Sequence, residues 1–310
     1  MADAPSGSTP QRDNRRHHKV SIALLGRFTE DGSDEGFLHV LDLSTGVWRR
    51  SKPKAEAAER GYYSIDLDGV SPGVIEDFLA TDVEGPVGST LRALAKTQGQ
   101  PAGPETGALV RYLGMQFLRT EPFRQAVLKF DRGLAKRVIR QMSTRKAFDE
   151  YERAHGVKFS RKVREALRSA KFERVGTSRA AYVMMESYHQ LLNDLARLHW
   201  RVVTLPIGVP NFICSDVPAK FVHDDGSGRL KPMMGGWSRD DIGALMPLSP
   251  RQILLGSTDL LEPIFDWKIE DVAVGEFNRA IATGARWVYS REAIAEGIIL
   301  ASPYPRKQRK

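Results

Sequence analysis

Apolar and polar positions change their rhythm three times along this chain. Phe37-Leu38-His39-Val40-Leu41-Asp42-Leu43, then Ser44-Thr45-Gly46, then Val47-Trp48, set two short apolar runs about a glycine-bearing turn. That pattern predicts a β-hairpin. Ser71-Pro72 then opens a helix, the serine as cap and the proline at the first helical position, where its missing N–H costs nothing. Ile75, Phe78, Leu79, Val83, Val87, Leu91 and Leu94 form its apolar stripe, with a kink expected at Gly85-Pro86.

A Gly/Pro linker spans Gln98 to Pro104, and Leu109, Tyr112, Leu113, Gln116 and Phe117 then recur as a buried helical face. Past Pro122, basic helical sequence runs to about Arg174, punctuated by Gly156 and Gly176. The next helix, about Ser178 to Leu198, carries Ala181, Met184, Tyr188, Leu191, Leu195 and Leu198 at three- and four-residue steps, which is core spacing. From Trp200 the period shortens. Arg201–Leu205, Asn211–Ser215, Gly243–Leu248 and Gln252–Gly256 read as short strands, and a last helix is expected over about Glu270–Tyr289. The sum is an α+β fold, predominantly helical, with a central helical block between an N-terminal hairpin and C-terminal short strands. Residues 1–16 read as a disordered basic arm, 17–305 as a single domain and 306–310 as a basic tail.

Charge sharpens this picture in one place. Of the 310 residues, those from Arg124 to Arg179 include 17 Lys and Arg against 6 Asp and Glu, about +11 in a chain of net charge +8. Such unevenness points to a polyanionic partner. Arg161, Arg164, Arg168 and Lys171 recur on one helical face and form the expected nucleic-acid contact; the bland alternative is a solvated face partly paired with Glu150, Glu152, Glu165 and Glu173. The single Cys214 excludes an internal disulfide and, within Phe212-Ile213-Cys214, reads as a buried inert thiol. The short run Val20–Leu25, ended by Arg27, is not a signal peptide, and no apolar stretch is long enough to span a membrane. These readings place the chain in the cytoplasm.

The same segments carry a resemblance. His17-His18, Leu25-Gly26-Arg27-Phe28, Gly61-Tyr62-Tyr63-Ser64, Glu76, Glu84 and Gln116-Phe117-Leu118-Arg119-Thr120 come in order. Trp200, Ser215-Asp216-Val217-Pro218, Leu248-Ser249-Pro250 and Asn278 … Arg286-Trp287-Val288-Tyr289-Ser290 follow. In that order they resemble the bacterial family of unknown function numbered 4238, over roughly His17 to Ser290. Ser21 stands where that family usually has proline, and Glu121 intervenes between its Arg-Thr and Pro. The resemblance implies a fold and a set of residues, and no reaction.

No phosphate loop, G-x-G-x-x-G, H-E-x-x-H or cysteine pair is present, so candidate chemistry falls to the polar residues of these pieces. Met233-Met234-Gly235-Gly236-Trp237 reads as a loop. Gln116 and Arg119 project from one side of an apolar helix, where an arginine needs a carboxylate; Asp216, Glu76 and Glu84 are available. The result is either a structural pair or a site gripping an anion. One of His17 and His18, beside Glu76 or Asp216, could act as general base or ligate a divalent metal, or simply pack. His189 and Glu186 read as a surface pair, and Ser215 lacks a nucleophile elbow. Two functions compete: a nucleic-acid-directed protein, of nuclease type if the polar set is catalytic, and a non-catalytic binding or scaffold protein in which that set is structural. Exposure to a cleft distinguishes them.

Overall fold

A computed structural model of the chain describes residues 16–293 apart from 57, 64–70, 72, 98–100, 102, 143, 157, 159, 162–176, 225–229, 234–238 and 259–270. Among the described residues, eleven strands pair antiparallel in three sheets. β1 (Arg16–His18) pairs β4 (Ala58–Arg60). β2 (Leu38–Asp42), β3 (Val47–Ser51), β6 (Cys214–Ser215) and β11 (Trp287–Ser290) form a sheet in the order β3-β2-β11-β6. β5 (His199–Thr204), β7 (Lys220–Asp224), β8 (Leu230–Met233), β9 (Gly243–Ser249) and β10 (Gln252–Ser257) form the third, in the order β5-β10-β9-β7-β8.

The α+β class stands, but the expectation of a predominantly helical chain does not. β1, β4, β7, β8 and β11 were not foreseen, and the largest sheet is five-stranded. The expected last helix splits: α8 (Asp271–Ala282) stops at Gly284, whose φ of 74° only glycine adopts without strain, and Trp287–Ser290 continues as β11. Aromatic and β-branched side chains there favour a pleated, half-buried surface. β11 lies between β2 and β6, with Val288 opposite both Leu41 and Ser215. The hairpin β2–β3 formed as expected, yet it is an edge of a sheet completed by the far end of the chain.

The remaining helices are α1 (Ile22–Gly26), α2 (Val74–Phe78), α3 (Gly85–Thr97), α4 (Gly103–Leu118), α5 (Glu121–Met142), α6 (Arg145–His155) and α7 (Thr177–Leu195). Ser71 is not the cap of α2: Gly73 holds that position, and only the Ser71 carbonyl contributes, accepting from Val74. At Gly85-Pro86 the helix widens where a kink was expected. Leu79–Glu84 is a π-helical segment in which the Gly85 N–H reaches back to the Ala80 carbonyl. The proline ring would clash with the carbonyl four residues earlier in an α-helix, and the wider turn relieves it.

β9 and β10, in the interior of the five-stranded sheet, are buried on both faces. Along β9, Ala244, Met246 and Leu248 face the layer containing α3, α4 and α7, while Leu245 faces α8 with Val274, Phe277 and Ile281. Phe221 and Val222 of β7 divide in the same way, as period-two alternation requires. Every stripe residue from Ala181 to Leu198, on α7 and in the turn after it, is buried. α7 approaches α4 closely at Gly114, where a Cβ would come within 3.2 Å of Leu195.

Candidate functional site

The last turns of α4 aim three polar side chains inward at helical spacing: Tyr112, Gln116 and Arg119, all buried. Arg119 Nη1 donates to Glu84 Oε1 at 2.6 Å. The hydrogen-bond pattern orients the Gln116 amide with its oxygen inward, where it accepts from Arg119 Nε at 3.2 Å, from Arg119 Nη2 and from the Tyr112 hydroxyl at 3.2 Å. The Tyr112 hydroxyl also bonds Ser21 Oγ, which accepts from the Leu24 N–H and so caps α1. One chain of bonds thus joins α1, α4 and the π-helical turn that carries Glu84.

A second ring of partners surrounds this chain. The Tyr63 hydroxyl donates to the Arg119 carbonyl at 3.2 Å, and the Tyr63 N–H donates to His17 Nδ1 at 2.9 Å. That bond leaves the His17 ring proton on Nε2, with the imidazole stacked on the Tyr63 ring at 5.7 Å. Glu76 lies within electrostatic reach of the Tyr63 hydroxyl. Burial pushes His18 below the usual imidazole range, opposed by a backbone bond at Lys54 and by Glu84. Its Nε2 is buried without a hydrogen-bond partner among the described residues. Burial disfavours the charge on Arg119, but Glu84, Tyr63 and Tyr112 outweigh it, so the guanidinium is held more firmly charged than usual.

His17, His18, Glu76, Glu84, Gln116 and Arg119 therefore surround one polar centre. Asp216 does not bond to it: its Oδ1 accepts from the backbone N–H groups of Arg286 and Trp287 at 3.0 and 3.1 Å, and Lys220 is its cationic neighbour. Ser215 is occupied as well. Its hydroxyl donates to the Ile281 carbonyl at 3.0 Å and accepts from the Val217 N–H, which makes it a turn residue. Cys214 is buried, and burial pushes its thiol up. His189 and Glu186 are exposed.

The chain belongs to the family of proteins of unknown function DUF4238. That family's model matches residues 16–293, most of the chain and nearly all the segments just described. No curated protein and no solved structure matches it. No described helix is long and apolar enough to cross a membrane.

Sequence reasoning passed over Lys220 and Tyr289. Lys220 is 5% exposed and donates from Nζ to the Thr283 carbonyl at 2.7 Å, at the C-terminal end of α8. Burial lowers its pKa to about 7, against the attraction of Asp216. The available signal was a lysine inside the apolar run Val217 to Val222. The Tyr289 hydroxyl is buried with no hydrogen-bond partner among the described residues, and burial with nearby Asp216 raises its pKa well above the usual range. No group of three or more His, Cys, Asp or Glu that could hold a metal occurs among the described residues. Of the expected cationic stripe, Arg161 is described and exposed; Arg164, Arg168 and Lys171 lie outside the described residues.

Proposed function

We propose that this DUF4238 protein is a non-catalytic nucleic-acid-binding protein whose Arg119 centre is structural. The observation that carries the reading is closure of that centre. The Arg119 side chain is 1% exposed, its guanidinium faces Glu84 and Gln116, and the void beside it holds about 10 Å³. A void of that size admits about one water. A phosphodiester could not reach the guanidinium without opening the core, whereas a catalytic clamp must meet its phosphate.

Binding then belongs to the basic helical block. On α5, Phe123 and Leu128 face the core while Lys129, Arg132 and Arg137 are exposed. Phe130, 70% exposed, and Leu134 lie among those cations. Exposed cations beside an exposed aromatic ring suit backbone contact together with base stacking. Lys146, Arg153, Lys158 and Arg161 extend the exposed positive charge beyond α5.

Fluorescence anisotropy with labelled single- and double-stranded DNA and RNA across a salt series tests this. Affinity is expected to fall log-linearly with salt and to depend little on base sequence. Replacing Lys129, Arg132 and Arg137 by Glu, or Arg161, Arg164, Arg168 and Lys171 by Glu, is expected to weaken binding on every sequence and flatten the slope. Arg119→Met is expected to lower stability and leave affinity per folded molecule unchanged. No binding at about 50 mM salt, where such contacts are strong, overturns the proposal. Strand cleavage that Arg119→Met abolishes while the chain stays folded would restore the nuclease reading.

A further inference from the structure

Where the end of α1, the end of α3 and the β9–β10 turn meet lies a cleft of about 240 Å³. Arg27, Arg251 and Arg291 line it together with Thr204, Ser249 and Gln252; among the described residues its lining contains no Asp or Glu. Asp31 and Glu292, the acids nearest in sequence, are engaged elsewhere, Asp31 with Thr29 and Ser33 and Glu292 with Asn211.

The first two guanidiniums are held in place by carbonyls. Arg27 donates to the Leu248 and Leu91 carbonyls at 2.6 and 2.5 Å and to Gln252 Oε1 at 3.2 Å. Arg251 donates to the carbonyls of Val209 and Leu205, both at 2.9 Å, and of Pro206. These ties fix each fork and leave N–H donors over, because a guanidinium has more donors than these carbonyls consume. Arg291 is different. It is exposed and makes one described tie, Nε to the Thr29 carbonyl at 3.1 Å.

Carbonyl ties alone do not account for the arrangement, because they neutralise no charge. Burial and the nearby Arg291 both push Arg27 below the usual arginine range, so like charges face one another here with no compensating acid among the described residues of the cleft. An oxyanion would supply that compensation.

We propose that this cleft binds the phosphate group of a small phosphorylated molecule between Arg27, Arg251 and Arg291. A phosphate dianion matches several cations at once, and its oxygens suit guanidinium forks and hydroxyl donors such as Thr204 and Ser249. Leu94 and Pro250 form an apolar wall for the rest of the ligand. On the measure by which about 10–15 Å³ admits one water, the cleft holds roughly twenty, room for a phosphate together with an organic group. The site is formed by α1, α3 and the β9–β10 turn, so it does not depend on nucleic-acid binding by α5.

Calorimetric titration of the full chain with inorganic phosphate, glycerol 3-phosphate and citrate tests the assignment. Saturable binding of both phosphates, with citrate weaker, is expected. Arg291→Glu is expected to weaken phosphate binding roughly tenfold to a hundredfold, the range of a lost charge-assisted bond. It should leave the melting temperature unchanged or raised, because the exchange relieves repulsion with Arg27. Replacing Lys129, Arg132 and Arg137 by Glu should leave phosphate affinity intact, so this site and the nucleic-acid surface fail separately. No binding of either phosphate, citrate binding as tightly as the phosphates, or parental affinity in Arg291→Glu would each overturn the proposal.

Discussion

Arg119 and Glu84, 35 positions apart, meet at 2.6 Å because a π-helical turn delivers the carboxylate. The pair is uneven: the Arg119 side chain is 1% exposed and that of Glu84 28%. One charge is committed to the interior, while the other retains contact with water.

That asymmetry predicts unequal costs. Glu84→Ala strips the buried guanidinium of its only described salt-bridge partner and should destabilise by about 3–5 kcal/mol, the cost of an orphaned buried charge. Arg119→Met keeps an apolar stem and leaves a carboxylate that water can solvate, so it should cost less. Urea denaturation of both variants measures the order. A larger loss in Arg119→Met would show that the guanidinium contributes chiefly through packing.

Ser21 joins two jobs on one hydroxyl, capping α1 and bonding Tyr112. Ser21→Ala should cost about 1–2 kcal/mol, as a lost cap and a lost buried hydrogen bond each do. Tyr112→Phe should remove the shared bond and keep the cap. In a double-mutant cycle the two changes should therefore be less than additive; strict additivity would mean that the hydroxyls do not interact.

Much of this was legible locally, and the exceptions have physical causes. The β2–β3 hairpin and the α7 stripe depend on turn chemistry and helical spacing, which are written within a few residues. The stripe Ile75, Leu79, Val83, Val87, Leu91 steps by four, and in an α-helix of about 100° per residue each step overshoots a turn by roughly 40°. That drift was the sign of the π-helical widening, taken instead for a proline kink. β11 was absorbed into α8 because Ala285 extends the spacing of Val274, Phe277 and Ile281 past the turn at Gly284. Arg119 was recognisable as needing a carboxylate, but which one is a tertiary fact: Glu84 pairs it, and Asp216 bonds the start of β11. The arginines at 27, 251 and 291 had no shared local signal at all.

Gly256 sits on β10 opposite Trp200 of β5, and a Cβ there would lie 2.7 Å from the indole ring. The ring cannot swing away freely, since its Nε1 donates to the Leu195 carbonyl at 3.0 Å. Gly256→Ala should therefore cost about 1–3 kcal/mol, typical of overpacking. Adding Trp200→Leu should recover part of that loss relative to Trp200→Leu alone. An alanine tolerated without cost would mean that β5 and β10 shift apart easily.

Lys220 gives a pH prediction whose sign is fixed by burial. Its pKa falls from the ordinary 10.5 to about 7 in the folded chain. Below that value both folded and unfolded chains hold the proton, and the group has no pH effect. Between about 7 and 10.5 the unfolded chain keeps a proton that the folded chain has released. Stability from this group therefore rises with pH across that window, with a slope of up to about 1.4 kcal/mol per pH unit. Lys220→Met removes the titration while keeping most of the side-chain volume. The wild type should accordingly gain stability relative to Lys220→Met as pH is raised from about 6 to about 9, whatever the other groups common to both proteins do. Urea midpoints of the two proteins, measured side by side, read the difference. A gap that stays constant with pH would mean that the Thr283 carbonyl and Asp216 keep Lys220 charged throughout. Lys220 would then be a permanently cationic cap on the C-terminus of α8, and its neutral form would play no part in the fold.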